Sequence, residues 1–220
     1  MSFVTEVLYP TALSELESWL NDNWASEDFE SIKADFAQQI PDSTSSIAAF
    51  TRVFEDLSKT DSKIVPFKQL QGILWRESFI SGKVKAPLYP DVIKTLHTLH
   101  QNDNVKVCIF SSGSIAAQRL CFAHTKDGGD MSKYIADYFD PASLSVKDKR
   151  QPAAYTTICD RLTLNADDVL FLSDIAAEVN AARAAGMRAA IVIRPGNAPL
   201  SAEDRGQNII MDNDISGIIR

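Results

Sequence analysis

The stretch "DVLFLSDIAAE", residues 168–178, runs five residues, Val169 to Ser173, that read as a buried strand, and then places Asp174 at its tip before a helical segment, "IAAEVNAARAAG". A carboxylate there has two uses. It can cap the helix, or it can hold a hard divalent cation, since Mg²⁺ takes few protein carboxylates and fills its shell with water and phosphate oxygens. Glu178, four residues on, can face back toward the same strand end. Another apolar run, "VKVCIFSSG", ends in Ser111-Ser112-Gly113 before a helix. Hydroxyls and free N–H groups at a helix start bind an anion such as a phosphate, and serine is also an ordinary cap residue. "SVKDKRQPAAY" offers Lys147, Lys149 and Arg150 to neutralise such a phosphate, or forms a solvated basic turn. His97 and His100 have metal-binding spacing but no third ligand, which favours a surface or packing role. His124 ends a helix, where it meets the helix dipole.

These residues need elements to carry them. The first ~85 residues show helical periodicity throughout. Leu13, Leu16, Trp19 and Leu20 share one helix face, and Ile47, Phe50, Val53, Phe54 and Leu57 another. A third helix spans Pro66 to Ile80, with the proline suited to a first turn. Near "SGKVKAPLYPDV" the character changes to helices alternating with short apolar strands: "VKVCIF", "VLFLS", "RAAIVI" and "NIIM". That alternation predicts a parallel sheet covered by helices, whose functional groups collect at the carboxyl ends of the strands.

The 220 residues are 45% hydrophobic, enough for a proper core, and the length suggests one domain of ordinary size or a core plus a smaller insert. A net charge of -7 and a pI near 5.0 argue against non-specific nucleic-acid binding. Cys108, Cys121 and Cys159 suggest neither a disulfide framework nor a zinc site. With no long apolar run and no leader-like N-terminus, the expectation is a soluble protein, not membrane-bound, located in the cytoplasm with the nucleus as a second site.

The set resembles the haloacid dehalogenase-like phosphatases, and most closely the enolase-phosphatases (acireductone synthases) of methionine salvage. The resemblance rests on "SFVTEVLYP" at 2–10, "FKQLQGILW" at 67–75, "SGKVKAPLYPDV" at 81–92, "IFSSGSIAAQRL" at 109–120, "LFLSD" at 170–174 and "RPGNAPL" at 194–200. It implies an α/β fold, with residues 87–220 as a parallel-sheet core and 1–86 as a helical cap. It also implies a Mg²⁺-dependent monomer that enolises and then dephosphorylates 2,3-diketo-5-methylthiopentyl 1-phosphate. In that reading Ser111, Ser112 and Lys149 bind the phosphate and Asp174 ligates Mg²⁺. The acid usual two residues after the lysine is Gln151 here.

One departure bears on activity. In this family a strand ending in Asp-x-Glu-Gly-Thr, which carries the nucleophile, precedes the equivalent of "SFVTEVLYP"; the 220 residues contain no such motif. The family places that strand mid-sheet, between the strands ending at Ser111 and Asp174. The expectation is that the natural protein starts upstream of Met1, and that the 220-residue chain has no catalytic residues and no turnover of its own. The alternatives are a phosphatase for another small phosphomonoester, and a non-catalytic relative that binds a phosphorylated ligand or a protein partner.

Overall fold

The computed structural model describes residues 3–102 and 104–219. They form two compact units, one reaching to Ala86 and the other beginning at Pro87.

The first unit is helical: α1 (Tyr9–Asn23), α2 (Glu27–Gln39), α3 (Ile47–Lys59) and α4 (Val65–Ile80). Ser26 and Ser46 cap α2 and α3 by accepting from the N–H groups of Phe29 and Ala49, which satisfies donors a helix start leaves unpaired. Glu27, Asp28 and Glu30 in the first turn of α2 favour the positive end of its dipole. Leu16, Leu20, Phe29, Phe36, Phe50, Phe54, Phe67 and Leu70 are fully buried together. Phe50 meets Phe29 and Phe36 at ring-centroid distances of 5.4 and 4.6 Å, edge to face. Helix α2 was not among the predicted elements; its apolar stripe, Phe29, Ile32 and Phe36, is thin among acids and lysine.

The second unit alternates: α5 (Pro90–Leu99), β1 (Cys108–Phe110), α6 (Ile115–Ala123), β2 (Asp137–Phe139), α7 (Pro152–Leu162), β3 (Leu170–Ser173), α8 (Ala176–Ala184), β4 (Arg188–Ile193), α9 (Ala202–Gln207) and β5 (Ile209–Asp212). All strand pairs are parallel, as the alternation predicts. Strand β2 and helix α9 escaped the sequence reading because three and six residues carry no measurable period.

The parallel strands form two sheets, β1-β2 and β3-β4-β5. Among the described residues no strand lies between β1 and β3. The consequence is visible in burial. Parallel sheets normally bury their strands on both faces, yet β1 and β3 are only half-buried and Leu170 is 43% exposed, whereas Ala189, Ala190 and Ile191 of β4 are buried. The predicted buried strand at 169–173 is therefore shorter and more exposed than its apolar sequence implies, because the edge it shares with β1 has no partner.

A side chain spans the gap instead. Tyr155 of α7 is fully buried and meets Phe110 of β1 edge to face at 5.7 Å and Phe171 of β3 at 4.9 Å. The core on that face runs through α7, α8 and β4. On the opposite face of β1 and β2, Leu96 of α5 packs with Met131, Ile135 and Tyr138.

Candidate active site

The loop after β1 carries Ser111, Ser112 and Gly113. Neither serine caps α6; that task falls to Ser114, whose hydroxyl accepts from the Ala117 N–H at 3.3 Å. Ser111 is held by its own N–H on the Phe139 carbonyl at 3.1 Å, and its hydroxyl accepts from the Gly113 N–H at 3.2 Å. Ser112 is exposed and makes no hydrogen bond to another described residue. The capping alternative is thus satisfied by Ser114, and the donors of Ser112 stay unpaired among the described residues.

Of the three basic candidates, Lys149 is drawn inward. Its ammonium pairs with Glu178 at 2.7 Å, the side chains being 14% and 11% exposed, and lies 5.4 Å from the Phe110 ring centroid. Tyr155 donates its hydroxyl to the Lys149 carbonyl at 2.7 Å. Burial, with Glu178 and Asp148 nearby, pushes the Tyr155 hydroxyl well above the usual phenol range, so it stays protonated and keeps that bond. Arg150 instead pairs with Asp148 on the surface, and the Lys147 N–H donates to the Gln151 amide oxygen at 3.3 Å.

Glu178 does face back to the strand end. Its Oε2 accepts from Ser173 Oγ at 2.8 Å as well as from Lys149. A continuous set of contacts therefore joins the residue before Ser111, through Lys149 and Glu178, to the residue before Asp174. Asp174 does not cap α8 either, since Ile175 stands at that position. It is exposed, and its Oδ2 accepts from Asn197 Nδ2 at 2.9 Å. Asn197 is itself set by the turn 194–197, where its Oδ1 accepts from the Arg194 N–H at 2.6 Å. In the sequence, "RPGNAPL" shows Asn197 only as an asparagine in a Pro-Gly turn, a usual turn residue, which hides its reach to Asp174.

Beside Asp174 opens a shallow cavity of about 340 Å³, polar at Asp174, Arg194 and Asn197 and apolar at Val92, Leu172 and Val192. Arg194 is locked there by a two-point pair with Asp91 at 2.6 and 3.1 Å and lies 4.4 Å from the Tyr89 ring centroid. Among the described residues no three His, Cys, Asp or Glu side chains gather as a metal site. Asp174 suits a hard cation as a single carboxylate ligand, the small protein contribution that a Mg²⁺-type shell tolerates. His97 and His100 pack against Tyr134 at 4.7 and 5.0 Å, a packing role, and His124 ends α6. Among the described residues no helix is long and apolar enough to cross a membrane.

Residues 8–186 match the haloacid dehalogenase-like hydrolase family. The chain is 39% identical to Enolase-phosphatase E1 of Neurospora crassa over 213 residues, covering 96% of this chain and 89% of that protein. It is 37% identical to Enolase-phosphatase E1 of Yarrowia lipolytica, covering 96% and 91% respectively. Among solved structures, the UTR4 protein of Saccharomyces cerevisiae superposes with a TM-score of 0.80 at 29% identity, covering 96% of this chain and 90% of that one. With the α/β architecture and the strand-end site already in place, these matches assign the chain to the haloacid dehalogenase-like hydrolases, among the relatives named Enolase-phosphatase E1.

Proposed function

We propose that the protein is a Mg²⁺-dependent enolase-phosphatase of methionine salvage, forming acireductone from 2,3-diketo-5-methylthiopentyl 1-phosphate. The observation that carries this reading is the 39% identity to an Enolase-phosphatase E1 across 96% of the chain. The site supports it. Ser111 and Ser112 receive the phosphate with free donors, and Lys149 neutralises its charge in a half-dry setting where such a charge counts for more than in water. Asp174 holds the cation, which supplies further neutralisation of the phosphoryl oxygens when bound. Asn197 steadies Asp174. The protein works as a monomer in the cytoplasm, with the nucleus as a second location, without nucleic-acid or membrane partners.

A polypeptide of these 220 residues carries no Asp-x-Glu-Gly-Thr motif, and we expect it to have no turnover alone. The unpaired edges of β1 and β3 leave room for an added strand bearing that motif. They are also the observation that favours the second reading, a binding protein without turnover. The test compares the purified 220-residue protein with one extended upstream by a strand ending in Asp-x-Glu-Gly-Thr, each with the diketone phosphate and with other phosphomonoesters, with and without Mg²⁺. Turnover of the diketone phosphate by the extended protein only is the expected result. Hydrolysis by the 220-residue protein, or a preference for another phosphomonoester, would defeat the reading.

A further inference from the structure

Gln118 sits on the second turn of α6, is 5% exposed, and is absent from the set of residues that the site reading requires. Its Nε2 donates twice, to the Gly113 carbonyl at 2.8 Å and to the Phe139 carbonyl at 2.9 Å. Both partners are carbonyls, so the amide has one permitted orientation; turned over, its oxygen would face two oxygens. The cost of this arrangement is visible. Gln118 Oε1 is buried with no hydrogen-bond partner, a penalty that would be absent with an apolar side chain of the same size. The gain that offsets this cost lies in the two bonds that its nitrogen makes.

What it holds is the loop of Ser111 and Ser112. The Phe139 carbonyl, the last of β2, accepts from Ser111 N–H as well as from Gln118. On the other side of the loop, Asp140, 9% exposed, accepts from the Ile115 N–H at 3.0 Å and from the Ser143 N–H at 2.7 Å. The loop is thus tied before Ser112, at Ser111, and after it, at Gly113 and Ile115, while Ser112 itself is left without a tie. We propose that Gln118 is a positioning residue for the anion-binding loop: by fixing the Gly113 carbonyl against the end of β2 it turns that carbonyl away from an incoming anion and leaves the Ser112 hydroxyl and N–H directed to it. The inference rests on the phosphate-binding reading of Ser111 and Ser112.

The test uses the 220-residue protein with Gln118→Met, which fills similar space with an unbranched side chain and no donor, and with Gln118→Glu, which keeps the shape. Val179→Ala, a buried change in α8, serves as a control for general destabilisation. Inorganic phosphate is titrated while the Ser112 and Gly113 amide resonances are followed, and amide exchange at Ser111, Gly113 and Ile115 is measured relative to β4. For Gln118→Met we expect phosphate affinity to fall about tenfold and exchange at the three amides to rise about tenfold, the size that losing ~1.4 kcal/mol of hydrogen bonding produces. Gln118→Glu should behave the same at neutral pH and recover part of its protection in acid, where the protonated carboxyl regains one donor. Val179→Ala should leave both ratios unchanged. Unchanged phosphate affinity and exchange in the Gln118 variants, or an equal change in Val179→Ala, would overturn the inference while leaving the phosphate site standing. If phosphate moves neither amide in the unaltered protein, the phosphate reading fails, and loop exchange alone decides whether Gln118 holds the loop.

Discussion

The helical unit and the α/β unit are built from similarly apolar sequence, but they bury it to different extents. In the helical unit Phe29, Phe36, Phe50, Phe54 and Phe67 are fully buried and touch one another. In the α/β unit, Phe110, Phe171 and Leu172, which are as apolar, stay half-exposed on the two strands that flank the gap in the sheet. A helix satisfies its own backbone and needs neighbours only for its apolar stripe, so four of them close a core among themselves. A strand needs a neighbour for its backbone as well, and an edge strand facing a gap loses both backbone partners and side-chain cover. The buried phenylalanine cluster of the first unit is closed by its own helices. In the second unit the core of α7, α8 and β4 is buried, while the cover of β1 and β3 depends on what pairs with their free edges.

Three measurements sharpen or break that contrast. The largest effect belongs to core truncation. Phe50→Ala should cost about 3–5 kcal/mol in denaturant unfolding, the usual loss for a fully buried phenylalanine, whereas Phe110→Ala should cost under about 2 kcal/mol because part of its ring is already in water. Equal losses at the two positions would mean that the gap beside β1 is closed in solution.

An intermediate effect is expected from acid. Burial pushes the Asp91 carboxyl up, but the Arg194 guanidinium and the Ile215 N–H outweigh it and hold the group below its ordinary 3.8. Asp61 of the helical unit is also pushed up by burial and pulled further down by Lys63, Tyr9 and Lys68. A carboxyl whose folded pKa is depressed contributes stability that is present above the unfolded pKa and lost as the pH falls through the folded one. Both units should therefore lose stability below about pH 4. Asp61 is 46% exposed at its side chain and Asp91 only 17%; solvent screens the former more, so Asp91→Asn should flatten the acid limb of the melting curve more than Asp61→Asn. The reverse order would show that burial is a poor guide to which unit acid attacks first.

The smallest effect should erase the contrast. Ser46→Ala in the helical unit and Ser114→Ala in the α/β unit each remove one hydroxyl that caps a helix at 3.2 and 3.3 Å. Each should cost about 1 kcal/mol, since a cap acts on its own first turn whichever unit it sits in. A clear difference in the unfolding midpoints of the two variants would show that the capping contribution depends on the unit.

The sequence by itself determined the helical character of the first part and the alternating character of the second, the parallel sense of the strands and the positions of Ser111 and Asp174 just past strand ends. Those features are written in local periods and in short runs bounded by turn residues, which need no distant partner to be read. It allowed Glu178 to face back to the strand end, and the bonds from Ser173 and Lys149 are what fix it there. Tertiary structure alone decided the rest. Which of Lys147, Lys149 and Arg150 turns inward depends on Glu178, 29 residues further on. That neither Ser112 nor Asp174 is spent on capping depends on Ser114 and Ile175 standing at the helix starts. Asn197 and Gln118 act through hydrogen bonds spanning 23 and 21 residues, and no local pattern encodes a bond of that reach. The gap between β1 and β3 is of the same kind: a strand's apolar residues state that it seeks a neighbour, and only the assembled sheet shows which neighbours it has.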